Sequence, residues 1–176
     1  MNNKTSIVFT GDIGFDRYMA GKWTDEELLS QEILEFFHSA DHVVPNVEGA
    51  IVDESEFSSS AEFCHYMTPE VTDFLQKIHA DIWCIGNNHI MDAGIEGLNS
   101  TRRIAASLGC QTIGAGVDQE DASQPVYIDE AGGIGIFSVN YVSEWRELKG
   151  QAVRQQNPCR RQAQIPEARW HHDHSH

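Results

Sequence analysis

The chain has 176 residues, 40% of them hydrophobic and 22% charged, which is one domain's length with enough apolar residues to bury a core. A formal charge of −15 argues against a nucleic-acid partner, since phosphate binding needs a basic face. No window approaches the roughly 18 apolar residues of a membrane span, and Met1 to Thr5 lead into a strand with no signal-peptide pattern.

The first strand is expected over Thr5 to Thr10, ending at Gly11, and the polar run Gly11-Asp12-Ile13-Gly14-Phe15-Asp16-Arg17 follows it. A helix is expected from about Asp25, with Thr24 and Glu27 as a capping box and Leu29, Ile33, Phe36 and Phe37 on one face. The next strand, His42 to Val47, leads into Asn46-Val47-Glu48-Gly49, and Asp53 to Ser60 read as a surface loop. Thr68-Pro69-Glu70 starts a second helix whose buried stripe is Val71, Phe74, Leu75 and Ile78. Asp81 to Ile85 read as a strand, followed by Gly86-Asn87-Asn88-His89-Ile90-Met91-Asp92.

A third helix from about Gly94 to Leu108 stops at Gly109, a residue suited to a left-handed cap. A short strand, Gln111 to Ile113, precedes Gly114-Ala115-Gly116, which is too short for a dinucleotide fingerprint. Pro125 to Asp129 and Gly135 to Val139 then read as a hairpin. Alternating strands and helices predict an α/β sheet. Residues 151–176 carry a net charge of +2 against −17 for residues 1–150, and their Gln/Arg-rich composition predicts a disordered tail. The scattered cysteines 64, 84, 110 and 159 lack a Cys-x-x-Cys pair and predict reduced thiols in a cytoplasmic protein.

Three polar clusters after three strands predict one shared site, because ligands in parallel α/β sheets gather beyond the carboxyl ends of the strands. Asp12 can serve such a site or bind its own loop backbone, and Asp16 with Arg17 reads equally as a surface pair. Asn46 and Glu48 flank Val47 in an extended segment, so both point to one side; they read equally as an exposed edge-strand face or as site residues that a metal or a hydrogen-bond network would satisfy. Asn88 and His89 are the strongest site candidates, since an Asn oxygen is a neutral cation ligand and His serves as ligand, acid or base. Asp92 either orients His89 or caps the following helix. His38 and His79 suit helix C-termini, while His42 and His65 have no recognisable partner in the sequence. The terminal run from His171 to His176 could bind transition metals adventitiously.

Taken together, the clusters resemble the CapA-type capsule-biosynthesis family, also called the poly-gamma-glutamate synthesis family, whose members look like relatives of calcineurin-like metallophosphatases. The resemblance is carried by Gly11-Asp12-Ile13, Asn46-Val47-Glu48-Gly49, Asn87-Asn88-His89-Ile90-Met91-Asp92-Ala93-Gly94, and Gly114-Ala115-Gly116 with Asp121-Ala122 and Pro125. It implies a metallophosphatase-like β sandwich flanked by helices, present here as its N-terminal part only, with the family domain over residues 1–142 and a divergent tail over 143–176. Asp12 and Asn88 would be metal ligands, Glu48 a ligand or close neighbour, and His89 would face the substrate and assist the leaving group. Divalent Mn, Fe or Zn would be bound, and two such cations about 3.5–4 Å apart would activate a water. The family's later His-Trp-Gly and Gly-His-x-Pro-His segments are absent here. The expected functions are therefore a metal-dependent hydrolase acting on a phosphoester or polymer linkage, a non-catalytic accessory of capsule or polyglutamate assembly, or an inactive truncated fragment.

Overall fold

The computed structural model describes residues 4–53, 64–128 and 133–140, without the side chain of Arg17. These residues belong to one compact unit, Met1–Val142. In chain order they form β1 (Ile7–Ile13), α1 (Gln31–His38), β2 (His42–Val47), β3 (Ala50–Ile51), β4 (Tyr66–Met67), α2 (Thr72–Lys77), β5 (Ile82–Cys84), α3 (Gly94–Ser107), β6 (Gln111–Ile113), α4 (Gln119–Ala122), β7 (Val126–Ile128) and β8 (Ile134–Ile136). A parallel sheet runs in the order β1-β2-β5-β6, β3 pairs with β4 in parallel, and β7 pairs with β8 as an antiparallel hairpin. The fold is mixed α/β, a parallel sheet flanked by helices, in keeping with part of a metallophosphatase-like fold.

Strand alternation sorts the sheet's side chains between two cores. Val44, Ile82 and Ile113 pack with Val126, Ile128 and Ile136 of the hairpin. Val47, Trp83 and Ile85 face the other way, onto Phe74 and Leu75 of α2 and Leu98 and Ala105 of α3. The hairpin thus begins a second layer on one face while the helices cover the other. Phe9 of β1 remains 61% exposed.

Several expectations change in detail. The strand from Thr5 does not end at Gly11; β1 runs through it to Ile13. The extra length is made by a bulge, since Phe9 pairs with Val44 while Asp12 pairs with Asn46. Three residue steps on β1 therefore match two on β2. One inserted residue reverses the alternation and turns Asp12 to the side that Phe9, Val44 and Asn46 share.

The first long helix starts at Gln31, not Asp25. Ser30 caps it by accepting from the Ile33 N–H, while the Asp25 carboxylate accepts from the Glu27 N–H and holds that earlier stretch in a turn. Thr24 ends a single 3-10 turn, Lys22–Thr24, and its hydroxyl donates to the Gly21 carbonyl instead of forming a capping box. Leu34 and Phe37 pack against the core, whereas Ile33 and Phe36 are exposed.

The later elements follow the sequence closely. A 3-10 turn over Pro69–Val71 leads into α2, and Val71, Phe74, Leu75 and Ile78 are all buried. Helix α3 ends before Gly109, whose φ of 77° makes the left-handed cap. The expected loop over 53–60 and the hairpin turn lie largely outside the described residues, as does the tail. No helix among the described residues is long and apolar enough to cross a membrane.

A candidate site at the strand ends

The carboxyl ends of β1, β2 and β5 converge, and a hydrogen-bond chain joins them. Asn46 Nδ2 donates to Asp12 Oδ1 at 2.6 Å. Asn87 Nδ2 donates to the Val47 carbonyl at 2.8 Å and to Asn46 Oδ1 at 3.2 Å. On its other side, Asn87 Oδ1 accepts from the His89 N–H at 3.1 Å and the Gly49 N–H at 3.4 Å. Asn87 is buried, so these four bonds answer both ends of its amide. It is the tie between β2 and the turn that carries His89. Asn88 follows, half-buried, and none of these bonds uses its side chain.

Glycines let the turns come this close. A Cβ on Gly86 would stand 2.8 Å from the Gly114 carbonyl oxygen, so the ends of β5 and β6 touch through backbone. Gly49 has φ of 92°, and a Cβ there would stand 2.7 Å from the His65 carbonyl oxygen.

Glu48 lies beside this chain. Burial first, and then the charge of Asp12, push its carboxyl above the ordinary range, with His89 and His65 pulling the other way. Its Oε1 is 3.9 Å from His89 Nε2. His89 Nδ1 meets Asp92 Oδ2 at 2.9 Å, so Asp92 orients the ring and leaves Nε2 toward Glu48. The sequence candidates Asp12, Glu48 and His89 are thus linked through direct interactions with one another or with Asn46, Asn87 and Asp92.

His65, whose partner the sequence did not disclose, and Asp16, which it left open, join them. His65 Nδ1 lies 2.7 Å from Asp16 Oδ2, its N–H donates to Asp92 Oδ2, and its ring centroid is 4.0 Å from that of His89. Asp16 is therefore a neighbour of the site. His42 also has a partner, Asp81 at 2.6 Å, but at the opposite end of β2. A cavity of about 250 Å³ adjoins this corner, walled by Phe15, Trp23, Tyr66 and Met67 with Asp16 at its edge.

The Gly114-Ala115-Gly116 run has a structural duty. Asp121 accepts from the Val117 N–H and pairs with Arg102 through both carboxylate oxygens, and a Cβ on Gly116 would stand 2.6 Å from that carboxylate. The glycine makes room for the clamp.

Asp12 and Glu48 present hard carboxylate oxygens whose mutual repulsion a divalent cation would relieve. Among the described residues no group of three or more His, Cys, Asp and Glu side chains could hold a metal ion. A seat would have to draw on a neutral oxygen such as that of Asn88.

A parallel α/β domain with acidic and imidazole groups at its strand ends defines the class. The sequence comparisons specify it further: the bacterial capsule synthesis protein family PGA_cap matches residues 6–175, and the chain belongs to that family. The match continues through the segment where the motif resemblance was expected to stop. The chain is 25% identical over 157 residues to the PGA biosynthesis protein CapA of Bacillus subtilis (strain 168), covering 87% of this chain and 40% of that protein. It is 34% identical over 73 residues to a probable polyglutamine synthesis accessory protein of Mycobacterium tuberculosis (strain ATCC 25618 / H37Rv), covering 42% and 19%. An uncharacterized protein of Sinorhizobium fredii, y4sH, is 32% identical over 133 residues, covering 73% and 28%. The chain therefore spans less than half the length of these relatives.

Proposed function

We propose that the strand-end cluster binds a divalent cation and serves a metal-dependent hydrolase acting on a phosphoester or a related polymer linkage. The observation that carries this reading is the meeting of Asp12 and Glu48 beside His89. Asp12, Glu48 and Asn88 would hold the cation, with Mn, Fe or Zn as candidates. When bound, it would acidify a water and polarise a phosphoryl oxygen. His89, oriented by Asp92, would hold a proton at Nε2 for the departing oxygen.

The partners in this reading are components of capsule or polyglutamate synthesis. A second reading, a non-catalytic accessory of that synthesis, is supported by the similarity to a protein named a probable polyglutamine synthesis accessory protein. Turnover of a generic phosphoester that needs added Mn²⁺ and is lost in Asn88→Ala supports the hydrolase. A stably folded chain that turns over nothing while binding synthesis components supports the accessory.

A further inference from the structure

His65 reaches the site through its backbone as well as its ring. The parallel pairing of Ala50 with Tyr66 lays its segment beside β3, and Gly49 leaves room for its carbonyl. Its N–H then donates at 2.9 Å to Asp92 Oδ2, the same oxygen that meets His89 Nδ1 at 2.9 Å. The two imidazole planes meet at 42° with centroids 4.0 Å apart, and Asp16 Oδ2 lies 2.7 Å from Nδ1 of the outer ring. The residues Asp16, His65, His89 and Asp92 therefore form one continuous set.

One hydrogen bond fixes a point on an imidazole but not the ring's plane. A packed aromatic neighbour fixes the plane, and a neighbour that is itself anchored does so better. We propose that His65 is a positioning residue for His89: clamped by Asp16, it locks the plane in which Asp92 holds the His89 ring and so keeps Nε2 directed at the Glu48 corner. The inference deepens the proposed function, because it gives His89 a substrate-facing role whose geometry a second histidine maintains.

The test is nitrogen–proton NMR of the imidazoles in the full chain, with EDTA present, and with His89 assigned from a His89→Gln sample. The wild-type chain should show a slowly exchanging Nδ1–H on His89. His65→Ala should speed that exchange about tenfold or more, the effect of losing a fixed hydrogen bond. His65→Phe, which keeps a ring for packing but loses its contact with Asp16, should restore part of the protection, and Asp16→Asn, which keeps the His65 ring, should also fall between wild type and His65→Ala. Backbone amide spectra report whether each variant is folded, and if His65→Ala is not, the decision passes to Asp16→Asn. Exchange within twofold of wild type in a folded His65→Ala, or no recovery in a folded His65→Phe, overturns the proposal. Neither metal nor turnover enters this readout. A chain that binds no metal would refute the hydrolase reading while leaving this result standing.

Discussion

Replacing Asn87 by Ala removes the tie between β2 and the turn bearing His89, and the cost can be worked from its four bonds. The two strongest are to the Val47 carbonyl at 2.8 Å and from the His89 N–H at 3.1 Å; those involving Asn46 and Gly49 are longer, at 3.2 and 3.4 Å. A buried polar group left without its partner costs about 1–3 kcal/mol. Counting the two short bonds fully and allowing water to reach the two long ones gives about 3 kcal/mol. For a domain near this size, each kcal/mol lowers the melting midpoint by about 2–4 °C, so a fall of about 6–12 °C is expected. Urea titration followed by far-UV circular dichroism would read the same loss as a lower midpoint at unchanged slope. A loss under about 0.5 kcal/mol, the size of an ordinary surface change, would refute the assignment of Asn87 as the tie.

Other perturbations test neighbouring parts of the account. Because the folded Glu48 carboxyl sits above its unfolded value, it favours the fold at low pH and that contribution is lost as pH rises through the folded value. Glu48→Gln should therefore raise the melting midpoint of metal-free protein at pH 7, with the gain closing below the ordinary value of 4.5. An equal or lower midpoint at pH 7 would contradict the crowding at Asp12. Gly49→Ala should cost about 2–3 kcal/mol in urea titration, from a left-handed backbone and a collision with the His65 carbonyl; an unchanged midpoint would mean that the approach is not tight. The Arg102 guanidinium holds the Asp121 carboxyl below the usual range. That pair stabilises above the ordinary carboxylate value and loses its contribution as pH falls through the lowered one. Arg102→Met should cost about 1 kcal/mol at pH 7 and less at pH 3, since both side chains are partly exposed.

Local signals were enough where one periodicity and one cap agreed. Helix α3 with Gly109, strand β6 and the stripe from Val71 to Ile78 emerged this way, because each depends on neighbours within a few residues. The start of α1 did not: Thr24-x-x-Glu27 read as a capping box, whereas the Asp25 carboxylate holds that stretch in a turn and Ser30 caps the helix instead. The bulge in β1 was also hidden. Nothing in Gly11-Asp12 fixes how many residues will face Val44 and Asn46, yet that count turns Asp12 toward its partner. At the site, Asp12, Glu48 and His89 were visible as polar residues after strands. The division of labour between Asn87 and Asn88 was not, because it depends on which amide reaches the Val47 carbonyl. His65 had no legible partner and Asp16 stayed open between site and surface for the same reason: their meeting is made by β3–β4 pairing and the space at Gly49.

The most direct test of the cation seat is calorimetric titration of Mn²⁺ into the full chain, beside its Asp12→Ala/Glu48→Gln variant. Manganese is the probe because the hard carboxylate pair suits it and the terminal histidines favour softer metals. One saturable site is expected in the parent chain, and it should disappear in the variant while the fold persists. Equal binding by both chains, or none by the parent, would contradict it.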